Sequence, residues 1–370
     1  MHTITSFVKK NTVLDIAFVA ALITSIIVPP DKTYLTYFDV RTLTCLFCVL
    51  AVVCAFRNID FFYILARKTV KTLGSLRAAV TALVYITFIG SMLIANDMAL
   101  LTFLPLGYFV LSACDKKEYM AFTFIMQNIA ANLGGMLTPF GNPQNLYLYN
   151  EFHISNKDFF LTMLPPFVIS IVLITACCMF IKNDHLVLRG NEKQLNMPKA
   201  TLYTLLFALA IAVVFRGIPY YIGLIIIPAV LFFADRKALA DVDYPLLLTF
   251  VCFFIFAGNM SRIDVVNRLL SYLLGKSTLI FSVISCQAIS NVPSAILLSQ
   301  FTGNVKELLV GVNIGGVGTL ISSLASLITF REYTHYEPKK AGYYLKMFSA
   351  INFAFLIILT TSMYIIKAIV

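Results

Sequence analysis

Charged side chains are scarce in this chain. They make up 12% of its 370 residues, against roughly 25% in a soluble domain. Histidine is rarer still, with four in all. No His-x-x-x-His or His/Glu spacing is present, and no Ser-His-Asp arrangement, phosphate-binding loop or dinucleotide fingerprint. Nothing therefore supports an enzyme or an ATP-driven pump, and no cofactor is expected. Long polar stretches are missing too. The longest connection is about Lys182 to Lys199, so no sizeable soluble domain is expected. No cleavable signal peptide is evident: residues 13–29 are long enough to span, and Lys9 and Lys10 hold their near end inside.

What is present is apolar. Hydrophobic residues reach 59% and mean hydropathy is +0.86. This composition defines an all-α polytopic membrane protein. Crossings of about 20 apolar residues are expected near 13–29, 42–57, 118–149, 158–181, 199–215, 218–234, 245–260, 307–330 and 342–366. The net charge of +10 reports topology first, because basic residues fall in the connections. With the N-terminus cytoplasmic, most of the 28 Lys and Arg lie on the inner side, as the charge rule demands. No basic face remains for nucleic acid. Seven of the eight cysteines fall in apolar segments, and Cys45 and Cys48 read as small hydrophobes one helical turn apart.

One stretch breaks the apolar pattern. Residues 132–145 hold three Gly, two Pro and three Asn between apolar flanks. Pro139 and Pro143 lack an N–H, and Gly134, Gly135 and Gly141 permit non-helical angles. A helix broken at membrane depth frees backbone groups that lipid cannot satisfy, so it must be buried in protein or line an aqueous cavity. The stretch recurs: Asn132-x-Gly134-Gly135-x-x-Thr138 matches Asn313-x-Gly315-Gly316-x-x-Thr319. Paired broken helices are a pointer to a transporter's binding site. Glycines that only ease helix packing would not need the paired Asn and Thr.

The echo extends further. Residues 77–111 and 277–303 are apolar but carry Asn96-Asp97 and Ser290-Asn291-Val292-Pro293 near their middles, which reads as two re-entrant hairpins. Each follows an amphipathic segment, Ile59 to Gly74 and Ile263 to Gly275, suited to the membrane surface. Phe38-Asp39-Val40 and Val242-Asp243-Tyr244 echo one another ahead of these segments. Two inverted repeats follow. The first is 1–181, with hairpin 77–111 and broken helix 118–149. The second is 217–370, with hairpin 277–303 and broken helix 307–330. Residues 182–216 supply a linker loop and the span that inverts the second repeat.

Asp97 is the one acidic residue placed at the bilayer centre. An ionisable group there is a functional candidate by default, either as a proton carrier or, ionised, as a sodium ligand. The competing role is a cap on the second hairpin arm. Asn96, Asn291, Asn132, Asn313, Asn142, Asn145, Thr138 and Thr319 offer oxygens that suit sodium. Half-helix N-termini offer free N–H groups to an anion. Ser322, Ser323 and Ser326 continue the second break, where the first has Gly141, Asn142 and Asn145. Any one of these serines on its own is explained by helix packing.

Together, Ala95-Asn96-Asp97, Ser290-Asn291-x-Pro293, the Gly134 to Asn145 run and the Asn313 to Thr319 run resemble the ion transporter superfamily. That group includes citrate and dicarboxylate carriers, sodium-coupled divalent anion symporters and arsenite permeases. The resemblance covers nearly the whole chain. It implies that Asn96 and Asn291 are ligands and that Thr138, Pro139, Gly141, Asn142, Pro143, Asn145 and Thr319 line the site; the residues themselves add Ser322 to the candidate site and offer Asn96, Asp97 and Asn291 as a candidate sodium site. It also implies a homodimer with elevator-type movement in the cell membrane. The sodium/dicarboxylate branch carries Ser-Asn-Thr at each tip, whereas Asp97 and Val292 stand at the Thr positions here. Asn-Asp at the first tip is closer to the citrate and arsenite permeases. The expected function is secondary active transport of a small anion, citrate- or dicarboxylate-like, driven by sodium or protons. The alternatives are an arsenite permease or a sodium/proton antiporter.

Overall fold

A computed structural model describes residues 12–184 and 194–369. All regular structure among them is helical. Two helices open the chain, α1 (Thr12–Ile27) and α2 (Val40–Asn58), followed by a short α3 (Phe61–Lys71). Then come α4 (Leu76–Ile94), α5 (Asn96–Ala113), α6 (Met120–Gly134), α7 (Pro143–Glu151) and α8 (Asn156–Met179). The linking helix is α9 (Met197–Val214). The second series runs α10 (Tyr220–Ala234), α11 (Arg236–Ala240), α12 (Tyr244–Ser261), α13 (Asp264–Lys276), α14 (Thr278–Ile289) and α15 (Asn291–Leu298). It closes with α16 (Val305–Ile314), α17 (Leu324–Tyr336) and α18 (Ala341–Ile369). The chain is a polytopic membrane protein: seven of the described helices are long and apolar enough to cross a bilayer.

Local chemistry sets the helix starts, and it does so alike in both series. Asp39 accepts the Thr42 N–H at 2.9 Å and Asp243 accepts the Leu246 N–H at 3.0 Å, capping α2 and α12. Ser75 and Ser277 cap α4 and α14 through the N–H groups of Ala78 and Ile280, each at 3.3 Å. The amphipathic segments form α3 and α13, where the sequence places surface helices.

Both helix pairs turn next to the polar residues, at Ala95 before Asn96-Asp97 and at Ser290 before Asn291. One non-helical residue joins α4 to α5, and one joins α14 to α15. Ala95 has φ 63°, ψ 153°, and Ser290 has φ 74°, ψ 160°. That region is nearly restricted to glycine and costs other residues on the order of 1–3 kcal/mol. The same strained turn at equivalent places lets each second arm double back. Both ends of the first pair meet Asp184: the Leu76 N–H donates to its carbonyl at 2.8 Å and Lys116 pairs with its carboxylate at 2.8 Å. The second pair is closed by Thr278 and Thr302 at 3.2 Å. The pairs differ in length. The arms of the first, 19 and 18 residues, are each long enough to cross, whereas those of the second have 12 and 8.

Burial runs opposite to that of a soluble protein. α1, α8, α10 and α18 turn apolar side chains outward, among them Ile26, Val172, Ile225 and Ile357. The polar Asn128, Asn132, Asn142, Asn145 and Asn313 are at most 1% exposed. α6 and α7 are buried nearly all round and form the axis of the molecule. α1 packs on α12 and α10 packs on α2, so the opening helices of each series embrace the other. α5 packs on α17 and α15 on α7 in the same reciprocal way.

Single cysteines introduced at Lys157 and Lys339 test the orientation. A membrane-impermeant maleimide applied to intact cells is expected to label Lys157→Cys and not Lys339→Cys; the reverse pattern would invert the topology.

Candidate functional site

Two helical runs are interrupted, one in each series. α6 ends at Gly134, passes through a 3-10 turn (Gly135–Leu137) and resumes at Pro143, the first residue of α7. α16 ends at Ile314 and resumes at Leu324. Asn142 and Ser323 precede the resumed helices with nearly the same extended backbone, φ −134° and −151°. Pro143 is well placed there, because a first helical residue has no intrahelical use for its N–H. Pro293 likewise falls in the first turn of α15. Pro139 lies in the loop between the halves of the first break and is buried.

Each break frees carbonyls that an apolar interior would leave without partners at a cost of several kcal/mol apiece. One carboxamide repairs each. The Asn145 side chain donates to the carbonyls of Gly135, Met136 and Thr138 at 3.2–3.3 Å. The Gln287 side chain donates to those of Gly315 and Val317 at 2.9 and 3.2 Å and accepts the Thr319 N–H at 2.9 Å. The two threonines tie the breaks to the helix pairs. Thr138 donates to Met92 O at 2.7 Å, and Thr319 donates to Gln287 O at 3.2 Å. Met92 and Gln287 each stand three residues before their tip. Ser322 closes the second break onto the carbonyls of Gly316 and Thr319 at 3.0 and 2.8 Å.

The breaks cross. Asn132 Oδ1 accepts from Ser323 Oγ at 2.8 Å, from the other break, and from Asn96 Nδ2 at 3.3 Å, at the first tip. Asn313 Oδ1 accepts from Asn142 Nδ2 at 3.1 Å and Gln144 Nε2 at 3.4 Å, while its amide donates to Asn145 Oδ1 and to Leu309 O. Asn128 continues the crossing through Ser326 at 3.3 Å. Asn96 and Asn291 each turn Oδ1 onto the next residue's N–H, Asp97 and Val292, at 2.9 Å. The second tip is also fixed to its own break, by Asn291 N–H and Ser290 Oγ donating to Ser322 O at 2.9 and 3.3 Å.

Glycine is required where the backbones touch. A Cβ on Gly134 would fall 2.2 Å from Phe88 O, and one on Gly315 2.7 Å from the Cys286 side chain. On Gly135 it would meet Asn142 Oδ1 at 2.4 Å, and on Gly141 the Gly135 carbonyl at 2.4 Å. Gly316 is looser, with Asn291 Nδ2 at 3.1 Å.

The structure thus brings together Asn96, Asn132, Gly134, Gly135, Thr138, Gly141, Asn142, Asn145, Ser290, Asn291, Asn313, Gly315, Gly316, Thr319 and Ser322. Asp97 stands at the edge of this network. It is the second residue of α5, its Oδ1 is shielded without a partner, and the charge of Asp243 acts on it. Two shielded carboxamide oxygens, Asn142 Oδ1 and Gln144 Oε1, also lack partners. The sequence reading missed Gln287, Gln144 and Asn128. For Gln287 the signal was a carboxamide inside an apolar helix; Asn128 falls one turn before Asn132, and Gln144 lies within the broken run 132–145. Among the described residues no group of three or more His, Cys, Asp or Glu could hold a metal ion.

Apolar helices packed around such a polar crossing make a multi-pass membrane protein, and the comparisons narrow its class. A sequence model of the citrate transporter family matches residues 4–307. An uncharacterized transporter of Methanocaldococcus jannaschii is 31% identical over 334 residues, covering 87% of this chain and 90% of its own length. The inner membrane protein YbiR of Escherichia coli is 29% identical over 279 residues, 73% of this chain and 74% of its own. The chain belongs to the citrate transporter family and is a membrane transporter.

Gly134→Ala is expected to lower stability by about 1–3 kcal/mol, the usual cost of overpacking, because its Cβ meets backbone. Gly74→Ala and Gly275→Ala, which meet nothing within 4 Å, should leave the thermal midpoint in detergent nearly unchanged.

Proposed function

We propose that the protein is a secondary active transporter of a small carboxylate of the citrate or dicarboxylate kind, coupled to a sodium or proton gradient. The observation that carries this reading is the crossing of the two breaks through Asn132–Ser323 and Asn313–Asn142. It gathers four helix N-termini, those of α5, α15, α7 and α17, near one polar centre. Helix N-termini attract anions through their free N–H groups and partial positive charge. The side chains that make the crossing are carboxamides and hydroxyls, so the anion is bound without a guanidinium or ammonium group.

The two halves form inverted repeats in this reading, and α4–α5 and α14–α15 are re-entrant hairpins. The equivalent caps, strained tips and threonine ties support it. Asn96 and Asn291 hold the substrate and the coupling ion at the tips. Asp97 is the coupling group. Its unpartnered carboxylate oxygen accepts a proton or helps to bind sodium, and neutralising it removes the cost of an isolated charge at membrane depth. An elevator movement of the tips, in a homodimer in the cell membrane, belongs to the same proposal.

Proteoliposomes test the reading. Citrate or succinate counterflow is expected with the wild type, and accumulation should follow an imposed sodium or pH gradient. Asp97→Asn should abolish gradient-driven accumulation and leave counterflow. Exchange of cations with no carboxylate movement would favour an antiporter, and movement of arsenite alone would favour an arsenite permease. Asn132→Ala removes the acceptor shared by Asn96 and Ser323 and is expected to lower counterflow about five- to 100-fold, since a buried hydrogen-bond loss of about 1–3 kcal/mol falls on the site itself.

A further inference from the structure

Away from the crossing, at the far end of α7, Arg216 stands over Tyr149, and Asn150 bonds to Thr42, the neighbour of Arg41 at the start of α2. Arg216 follows α9 in a left-handed conformation, φ 64°. Its guanidinium lies 4.3 Å over the Tyr149 ring and donates to the carbonyls of Tyr149 and, at 3.3 Å, Ile154. It therefore neutralises the carbonyl end of α7, which carries partial negative charge. Arg41 lies in the first turn of α2. Its charge, like that of Arg216, acts on the Tyr149 phenol and on the buried Cys45 thiol.

Neither arginine is fully used by the fold. The Nε of each is shielded from solvent and lacks an acceptor. Arg41 makes no hydrogen bond or ion pair among the described residues. Its place is also unfavourable for α2, because a cation in the first turn opposes the helix dipole. The carboxylates nearby do not claim it. Asp39 is committed to capping, accepting the Thr42 N–H and hydroxyl. Glu151, at the end of α7, is exposed and forms no ion pair among the described residues. Asn150 turns its amide to Thr42 Oγ1 at 3.0 Å and leaves its own shielded oxygen unpaired. Shielded donors without acceptors are rare and call for a partner outside the chain.

We propose that Arg41 and Arg216 form a second anion site, which holds a carboxylate of the transported solute at the end of α7 before it reaches the crossing. This rests on the carboxylate-transport reading above. The planar guanidinium matches a carboxylate in a two-bond fork. A helical rise of 1.5 Å per residue puts Asn150 about 10 Å from Pro143, so the site is separate from the crossing yet on the same helix. Asp39 and Glu151 keep the region near neutral, so recognition comes from the N–H forks and not from a long-range field. Arg216 is a positioning residue, because it also holds the end of α7, and Arg41 is the direct ligand.

The test uses citrate binding by calorimetry on the purified protein in an uncharged detergent, together with counterflow in liposomes. Arg41→Gln is expected to raise the citrate Kd and the KM about tenfold, the effect of losing a charge-assisted bond, with kcat changed far less. Arg41→Lys should recover part of the loss. The thermal midpoint should stay at the wild-type value, since Arg41 bonds to nothing in the described chain. An unchanged KM and Kd in Arg41→Gln would overturn the proposal, as would a fall in kcat at constant KM. So would an Arg41 effect seen only in phosphatidylglycerol liposomes and not in phosphatidylcholine, which would assign the arginines to a lipid headgroup. Arg41-dependent citrate binding without any carboxylate exchange would uphold the arginine site and sink the transport reading instead.

Discussion

The reciprocal carboxamide bonds between the two breaks are the contact on which the rest of the molecule depends. An interrupted helix at membrane depth exposes N–H and C=O groups that hydrocarbon cannot satisfy. Each break solves this twice over. Asn145 and Gln287 take up the freed carbonyls locally, and Asn132 and Asn313 bond across to the other break. The local bonds satisfy the freed backbone, and the side-chain bonds across hold the two breaks in one register. The apolar helices outside the crossing can then be chosen mainly for fit to lipid and to each other.

The crossing is polar but carries no fixed positive charge. A guanidinium at the centre would need its own counter-charge, whereas each carboxamide carries both donors and an acceptor, so neutral groups alone complete the network. Two residues, Ala95 and Ser290, are held where glycine alone is comfortable, and each sits at the turn between two paired helices.

Some of this was open to reading in the chain alone. Gly134, Gly135, Pro139 and Pro143 announce an interruption because each opposes a helix in a different way, and the match at Gly315 and Gly316 announces the second. The turns at Asn96 and Asn291 and the amphipathic helices α3 and α13 follow from local polarity within apolar runs. The roles of Gln287, Gln144 and Asn128 did not. A single carboxamide in an apolar helix has the same local signature whether it packs idly or repairs a break 30 residues further on. Arg41 and Arg216 were legible only as positive charges near span ends. That the charges of both would act on Tyr149 depends on where α2, α7 and α9 come together.

The sequence by itself determined the helical membrane character, the positions of the interruptions and the residues that stand at the tips. These are local properties, set by hydropathy, by glycine and proline geometry and by the side chains that can cap a helix. Tertiary structure alone decided which break bonds to which, that Asp97 stays at the rim of the network while Asn132 and Asn313 occupy its middle, and that the charges of two distant arginines act on one tyrosine. Those outcomes depend on distances between segments far apart in the chain, and no local preference encodes them.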